Sequence, residues 1–388
     1  MCDNGQRVGD AREHLLGGLS GCGTARQSTA QTQAAVLWSD MQPTDSVDLE
    51  YAECFSVDHY DGGYSLITVK DDARYLVVPE NASVPDGLDA DIVVLQQPLD
   101  SIYLVSSSVM DQFVALDALD SIALSGTRQD GWYIDEAKQA MADGKITYAG
   151  KYSAPDYERI VSANCGLAIE NTMIYHTPEV KEQLEKFGIP VLVERSSYES
   201  DPLARMEWVK LYGILFDKEA EAETFFNEQV QRIRPLLGQD ATGKTAAFFS
   251  VTSNNLVTVR KSNDYVAKMI GMAGGEYVFS NLSDNGNNLA TMNLSLEEFY
   301  AGAKDADVLI YNSTIEGKIE TTEQLLSKCP MLADFKAVQN GNVWCTTQSL
   351  FQESMELPDL ILDMNRVFTA ESPNAVNEDE LKFLTHVS

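Results

Sequence analysis

The feature that most limits the possible folds is an alternation of short apolar runs with amphipathic segments, interrupted once by a long helical stretch. Apolar runs followed by a small polar loop and then by apolar residues at helical spacing predict parallel strands covered by helices. The predicted strands are 102–105, 122–124, 167–169 and 191–193 before the long stretch, and 246–251, 256–259, 308–311 and 343–346 after it. The pattern therefore predicts two α/β lobes, each with a parallel sheet.

The long stretch begins at Asp201 and Pro202, residues that are typical of a helix N-cap and first helical position. Apolar side chains recur at spacings of three and four as far as about residue 234. We expect one helix over 201–236, which at ~1.5 Å per residue is longer than a small lobe. This single helix is predicted to join an N-terminal lobe at 91–200 to a C-terminal lobe at 237–388.

The part of the chain before the first lobe has a different pattern. Residues 51–90 alternate apolar and polar side chains in short runs separated by turn residues, such as Asp61-Gly62-Gly63, which predicts a small β-meander. Residues 23–50 include a stretch rich in Ala, Gln, Ser and Thr, and we expect this segment to be a flexible tether.

Residues 1–22 are predicted to be a leader that ends in a lipidation site. Leu19-Ser20-Gly21-Cys22 resembles a bacterial lipobox, in which the cysteine thiol, here Cys22, receives the lipid. Residues 1–14 are polar, so the apolar region of an ordinary signal peptide is nearly absent. A Gly/Ser-rich linker is the alternative interpretation of the same residues.

The composition excludes several classes of function. There are 59 Asp and Glu against 28 Lys and Arg, a formal charge of −31, which opposes binding to nucleic acid. No apolar stretch reaches the ~20 residues of a membrane-spanning helix. The 4 histidines are far apart in the sequence, so direct capture of a bare metal ion is not expected.

The 6 cysteines show no zinc-site spacing. Cys329 and Cys345 flank one segment and either form a disulfide in an oxidising compartment or remain unpaired and buried. Cys165 stands alone in its lobe, and a metal-cluster redox enzyme on a two-lobed fold needs cysteine ligands in both lobes. That enzyme class is therefore the least favoured interpretation.

Several segments in order resemble one known family, the periplasmic binding proteins of ABC importers for ferric siderophores, haem or cobalamin. The resemblance covers roughly residues 92–368 and does not include the meander. It is carried by the segments IYLVSSS at 102, APDYERI at 154, FGIPVLV at 187, AGG at 273, LSLEEF at 294 and DADVLI at 305. It implies two α/β lobes joined by one long helix, and a monomeric, lipid-anchored extracytoplasmic protein that is not an enzyme.

The resemblance also implies a partner and the residues that contact it. In this family one acidic residue on each lobe meets arginines of the ABC permease, which works with an ATPase, and the matching positions are Glu158 and Glu297. A carboxylate can accept a bidentate arginine, which gives docking both charge and direction. The alternative is that both acids only favour the first turn of a helix.

The ligand is expected in the cleft between the lobes, at loops that follow the carboxyl ends of strands. The candidate ligand-binding residues in these loops are Arg128, Trp132, Tyr133, Arg195, Tyr198, Asn254, Asn312 and Phe351. Trp132 either faces the ligand or packs under its own loop. Aromatic faces with a few cations suit a bulky ligand with oxygen donors or carboxylates.

Three ligand classes remain open at this point. A ferric hydroxamate siderophore and cobalamin fit equally well, and haem would need an axial ligand such as Tyr175 or His176. A different class of function, a surface scaffolding or adhesion lipoprotein, rests on the meander and the acidic surface and predicts an empty cleft. No phosphate-binding loop or nucleophile motif supports an enzyme.

Overall fold

The computed structural model describes residues 36–283 and 290–388, which form two α/β lobes, the helices between them and an additional N-terminal sheet. This N-terminal sheet has the strand order β1-β2-β3-β4-β5. Its strands are β1 (Pro43–Ser46), β2 (Phe55–Tyr60), β3 (Tyr64–Val69), β4 (Arg74–Val78) and β5 (Ile92–Gln96). Strands β1 to β4 pair antiparallel, as the predicted meander requires, whereas β5 pairs parallel with β4.

The N-terminal sheet extends beyond the predicted bounds of the meander at both ends. Residues 43–46 were expected in the tether, but they pair with β2; residues 23–35 of that tether and the leader lie outside the described residues. All four residues of β1 are exposed, so no apolar periodicity marks this strand in the sequence. Strand β5 was assigned to the first lobe, yet its hydrogen bonds place it in the N-terminal sheet.

The first lobe is a parallel sheet with the strand order β12-β11-β6-β7-β8, as predicted. Its strands are β6 (Ile102–Leu104), β7 (Ile122–Ser125), β8 (Thr147–Tyr148), β11 (Ala168–Asn171) and β12 (Val191–Glu194), with a separate small pair β9 (Gly150–Lys151) and β10 (Ala154–Pro155). Its helices are α1 (Met110–Ala115), α2 (Asp135–Ala142), α3 (Tyr157–Ser162) and α4 (Pro178–Lys186).

The segment predicted to be one long helix forms three: α5 (Pro202–Glu207), α6 (Val209–Leu215) and α7 (Glu219–Ile233). The prediction of a single rod is therefore wrong. Asp217 has a φ of 57°, and the Lys218 amide donates to the Gly213 carbonyl at 2.7 Å. The chain thus turns after α6, and α7 packs back against it. A Cβ at Gly213 would lie 2.7 Å from the Cβ of Ala222, so this close approach requires glycine.

The second lobe has a mixed sheet with the order β16-β14-β13-β17-β18-β19, to which β15 adds beside β13. Its elements are β13 (Thr245–Val251), β14 (Val257–Arg260), α8 (Tyr265–Met272), β15 (Glu276–Tyr277), β16 (Thr291–Leu294), α9 (Leu296–Ala303), β17 (Val308–Tyr311), α10 (Ser313–Glu316), α11 (Thr322–Lys328), α12 (Lys336–Gln339), β18 (Val343–Thr346), α13 (Leu357–Thr369) and β19 (Leu384–His386).

Only the centre of this second sheet is parallel, which corrects the prediction for the lobe. Strands β13, β17 and β18 run parallel, whereas β14, β16 and β19 pair antiparallel. The connection from β13 to β14 is a short hairpin with Asn255 at a φ of 59°. A hairpin of this length joins antiparallel strands, because parallel neighbours need a long crossover.

A single hydrophobic core connects the N-terminal sheet, the three helices and both lobes. The ring of Phe55 in β2 lies 4.9 Å from that of Trp208 between α5 and α6. The hydroxyl of Tyr75 in β4 donates to the Val191 carbonyl of the first lobe at 2.9 Å. The N-terminal sheet is thus packed on the first lobe and on the connecting helices.

Candidate functional site

A cleft between the two lobes contains a cavity of about 320 Å³, within the ~300–1,000 Å³ usual for ligand sites. Loops that follow β6, β11 and β12 line one side, as expected for the carboxyl ends of parallel strands. They present the side chains of Ser106, Ser107, Ser108, Asn171, Thr172, Met173, Glu194, Ser196 and Ser197. The second lobe supplies Arg260, Tyr265, Leu350, Phe351, Ser354 and Leu357 to the opposite side.

A second cavity of about 490 Å³ adjoins the first and shares Ser197, Arg205, Tyr265 and Ala290 with it. We call this second cavity the sheet compartment, because the N-terminal sheet forms part of its wall. It is lined by Cys54, Lys70, Asp71, Arg195, Ser197, Tyr198, Glu199, Ser200, Arg205, Lys261, Ser262, Asn263, Asp264, Tyr265, Ser283 and Ala290. Both lobes and the N-terminal sheet therefore meet in one cleft.

Arg205 of α5 lies where the two cavities join. Its Nε donates to the Glu199 carbonyl at 3.1 Å, and its Nη2 donates to the Ser197 carbonyl at 2.7 Å. Its guanidinium stacks 3.8 Å from the ring centre of Tyr265 in the second lobe. These contacts fix the orientation of a cation between the lobes and leave its remaining face to the cavities.

Arg260 and Phe351 form a second cation and aromatic pair in the first cavity. The guanidinium of Arg260 lies 4.8 Å from the ring centre of Phe351, and its Nη1 is 3.6 Å from an Asp264 carboxylate oxygen. Together with the serine and threonine hydroxyls opposite, this pair gives the cavity both donors for oxygen atoms and a flat apolar face.

Glu194 is a buried acid at the end of β12 in the first cavity. Its carboxylate accepts the Ser196 amide at 2.6 Å and the Ser106 hydroxyl at 3.3 Å. Burial raises the pKa of Glu194, and the hydrogen bonds from Ser196 oppose that shift. This side chain fixes the positions of the loops after β6 and β12.

Hydrogen bonds join the lobes directly along residues 352–355, a contact that we call the seam. Gln352 accepts the Tyr133 amide at 2.7 Å and donates to the Gly131 carbonyl at 2.8 Å. The Ser354 hydroxyl donates to the Ser108 carbonyl at 2.7 Å. Because Ser108 and Ser354 line the first cavity, the seam closes that end of the cleft.

An acid of the first lobe completes the seam. The Asp111 carboxylate accepts the Met355 amide at 2.8 Å. Burial, together with the charges of Glu356 and Glu353, raises the pKa of Asp111 to about 7, although the Met355 hydrogen bond opposes the shift. Ionised Asp111 is therefore held in the seam only against a desolvation cost.

The structure brings three of the eight predicted ligand-binding residues to the cleft. Arg195 and Tyr198 line the sheet compartment, and Phe351 lines the first cavity. Two more are elsewhere in the second lobe. Asn312 is buried and accepts the Thr314 amide as the N-cap of α10, and Asn254 accepts the Thr252 hydroxyl in the hairpin after β13.

The loop 127–133 contributes no side chain to either cavity. Trp132 is 1% exposed and packs in the core, which agrees with the second of its two alternatives, packing under its own loop. The burial of this large apolar ring attaches the loop to the hydrophobic core. Arg128 stacks over Tyr148 at 4.2 Å, and the Tyr133 side chain is 38% exposed at the seam.

The predicted docking residues lie in the described part of the chain, whereas the predicted lipidation residue does not. Glu158 and Glu297 are both exposed, and each lies in the first turn of a helix, α3 and α9 respectively. Cys22 lies outside the described residues. In the described part of the chain Cys54, Cys165, Cys329 and Cys345 are free thiols, so Cys329 and Cys345 do not form the disulfide considered above.

Sequence reasoning missed the cleft residues that do not follow strands. Arg205 lies inside a helix, Tyr265 is the first residue of another, and Lys70 lies in a turn of the N-terminal sheet. The signal that exists is local: Asp264 precedes α8 as an N-cap, which places Tyr265 at a helix start. No such signal brings Lys70 near the lobes. No helix in the described ranges is long and apolar enough to cross a membrane.

Two α/β lobes that enclose a cleft, with ligand-sized cavities lined from both sides, define a solute-binding protein. The family model described as periplasmic binding protein matches residues 102–350. The chain belongs to the periplasmic binding protein family. This membership does not depend on a single connecting helix, which the structure lacks.

Two lipoproteins of one archaeon are similar to this chain in sequence. An uncharacterised lipoprotein of Methanocaldococcus jannaschii is 25% identical over 311 residues, covering 77% of this chain and 73% of that protein. A second one from the same organism is 24% identical over 381 residues, covering 94% of each chain.

Solved structures share the fold at low identity. A periplasmic haem-binding protein from Pseudomonas aeruginosa has a TM-score of 0.58 at 16% identity, covering 74% of this chain and 99% of that chain. An ABC-type Fe3+-hydroxamate transport protein from Saccharomonospora viridis has a TM-score of 0.53 at 18% identity, covering 70% and 94%. At these identities the likeness shows the fold alone.

Proposed function

We propose that this protein captures an iron chelate in the inter-lobe cleft and delivers it to an ABC permease. The observation that carries the proposal is the cleft itself, where serine and threonine hydroxyls face Arg205, Arg260 and Phe351 across a cavity of about 320 Å³. Hydroxyl and guanidinium donors suit the oxygen atoms on the outside of a chelate, and aromatic faces suit its flat apolar parts. The protein is proposed to act as a monomer without turnover.

Among the open ligand classes, the lining favours a ferric siderophore with oxygen donors over haem. The two residues considered as axial haem ligands do not line either cavity: the Tyr175 hydroxyl is directed to Asp72 at 3.4 Å, and His176 is exposed. Cobalamin remains the second candidate, because its amide groups also need donors and acceptors. The solved haem and hydroxamate proteins support this general class of cargo.

Thermal unfolding of the protein with candidate ligands tests the capture of a chelate. We expect a ferric hydroxamate siderophore at 100 times its dissociation constant to stabilise the fold by about 2.7 kcal/mol. Haem, cobalamin and ferric chloride serve as the comparison. Replacing Arg205 with alanine should reduce the shift, and replacing Lys145, which is exposed on the first lobe, should not. If no chelate raises the melting temperature, a scaffolding role gains support and capture is ruled out.

Docking to the permease is proposed to use Glu158 and Glu297, one on each lobe. Their exposure and their positions outside the cavity linings support a role in contact with another protein. Two carboxylates on separate lobes would also make docking sensitive to the distance between the lobes.

Replacing Glu158 and Glu297 together with alanine should lower permease-dependent uptake at least ~10-fold, while the affinity for the chelate stays unchanged. Uptake into vesicles that contain the permease measures the first quantity, and calorimetry measures the second. Glu323, an exposed acid in the first turn of α11, provides the matched control. Equal uptake by the double variant and the Glu323→Ala control would contradict this docking role.

We also propose an extracytoplasmic location with a lipid anchor on Cys22. The lipobox-like residues before Cys22 and the lipoprotein names of both relatives support this location. An anchor would keep the binding protein close to its permease and raise the local concentration of captured chelate.

A further inference from the structure

Resting on the proposed function, we infer that the sheet compartment is a separate subsite that binds a carboxylate group of the ligand. The N-terminal sheet contributes Lys70 and Asp71 to it from the turn between β3 and β4. This sheet lies before residue 102, where the match to the family model begins. The subsite is therefore an addition to the two-lobed architecture.

Arg195, which lines this compartment, is held in one orientation by its neighbours. Its guanidinium lies between the rings of Tyr175, at 5.9 Å, and Tyr198, at 4.8 Å. Its Nη1 donates to the Lys70 carbonyl at 2.6 Å, so the turn of the N-terminal sheet fixes its orientation. A guanidinium fixed in this way loses little entropy when it binds a carboxylate with two donors.

Two nitrogen atoms of the Arg195 guanidinium, Nε and Nη2, have no hydrogen-bond acceptor in the described structure. Its Nε is buried and has no acceptor in the described structure, and its Nη2 is 4.0 Å from an Asp71 oxygen, which is beyond hydrogen-bond distance. The Nε is shielded from the cavity in this structure, so Nη2 is the donor that a ligand carboxylate would meet.

Most of the acids in the compartment are already engaged. Glu199 accepts backbone amides of Glu53 and Cys54 and the indole of Trp208. Asp264 accepts the Val266 amide and lies 3.6 Å from Arg260. These two carboxylates already accept hydrogen bonds from protein donors, and none of those donors is Arg195 or Lys70.

The charges that remain face the compartment from the N-terminal sheet. Lys70 is exposed, and its ammonium forms no ion pair within residues 36–283 and 290–388. Asp71 is 76% exposed, and a carboxylate oxygen of Asp71 lies 4.0 Å from the guanidinium of Arg195. Lys70, Arg195 and Arg205 are therefore the cations that a carboxylate in the compartment would meet.

One ligand can reach both cavities because they share Ser197, Arg205 and Tyr265. A chelate core in the first cavity would direct a carboxylate arm past Arg205 towards Arg195 and Lys70. The subsite would then distinguish iron chelates that carry free carboxylates from neutral ones of similar size.

Calorimetry on the full chain with ferric citrate, metal-free citrate and the trihydroxamate chelate ferrioxamine tests the subsite. We expect Lys70→Ala to lower the affinity for ferric citrate about 10-fold and Lys70→Arg to restore most of that affinity. Both variants should change the affinity for ferrioxamine by less than about 2-fold. Lys145→Ala is the matched control. Asp71→Asn should tighten ferric citrate about 2-fold to 3-fold, because it removes a competing carboxylate, and asparagine tolerates the φ of 56° at this position.

The outcomes separate this inference from the proposed function. Equal effects of Lys70→Ala and Lys145→Ala on ferric citrate, or weaker binding by Asp71→Asn, would overturn the subsite while ferrioxamine binding still supported iron capture. If the protein binds metal-free citrate through Lys70 but binds no iron complex, iron capture fails and the subsite stands. If neither form of citrate binds, the subsite is overturned.

Discussion

Replacing Glu207 with alanine is expected to lower the free energy of unfolding by about 3–5 kcal/mol. Glu207 is fully buried in α5, and its carboxylate accepts the amides of Glu50, Tyr51 and Ala52 at 2.8–2.9 Å. It also lies 3.1 Å from the ammonium of Lys210. The change would leave three partly buried amides without their acceptor and Lys210 without its buried partner. The N-terminal sheet would lose one of its attachments to the connecting helices, while the contact of Phe55 with Trp208 would remain.

Chemical denaturation monitored by circular dichroism measures this loss. The matched control is Glu223→Ala, since Glu223 is the other acid near Lys210, at 3.0 Å, but is 52% exposed. An exposed pair contributes little, so the control should cost less than about 1 kcal/mol. Similar losses for the two variants would mean that the attachment of the sheet does not depend on the buried carboxylate.

The second large effect is a pH dependence of stability caused by Glu170. This acid in β11 is 0% exposed, and neither carboxylate oxygen has a hydrogen-bond partner in the described structure. Burial raises the pKa of Glu170 to about 8. The folded protein therefore holds a proton that the unfolded chain releases near pH 4.5, so stability is greatest below that pH and falls as the pH rises towards 8.

In the natural protein, Glu170 should lower the free energy of unfolding by about 3–5 kcal/mol between pH 4.5 and pH 8. The Glu170→Gln variant should lack this decrease. Glutamine has nearly the same shape and stays neutral, so the variant is expected to be more stable than the natural protein at pH 8. Asp111, whose pKa is raised to about 7, should leave a smaller slope of the same sign. Denaturation at both pH values measures the difference, and an unchanged slope in Glu170→Gln would refute the assignment.

The elements that the sequence predicted well are those with local causes. Apolar runs such as 191–193 and 308–311 became buried strands because a strand covered on both faces needs apolar side chains throughout. The break at Asp217 is marked only by Gly213 four residues earlier and by a gap in the large apolar residues between Phe216 and Phe225, and neither signal is specific for a turn. The turn forms because α7 gains more burial against α6 than it would as an extension into solvent.

The cleft was predicted less well than the fold because its composition depends on long-range packing. Arg195 and Phe351 follow strands and were identified by that rule, whereas Arg205 and Lys70 reach the cleft only through the packing of α5 and of the N-terminal sheet. Trp132 was a candidate because its loop follows β7, but its large apolar ring is buried in the core and this loop lines neither cavity.

The seam at residues 352–355 has a consequence for how cargo enters and leaves. Gln352, Ser354 and Met355 form hydrogen bonds with the first lobe directly, so the two lobes are held together along this edge of the cleft. Lys70 and Tyr198 line the other cavity of the cleft, which has no residue of the seam in its lining. If the seam stays closed, a ligand would enter and leave the cleft on the side of the N-terminal sheet, past Lys70 and Tyr198.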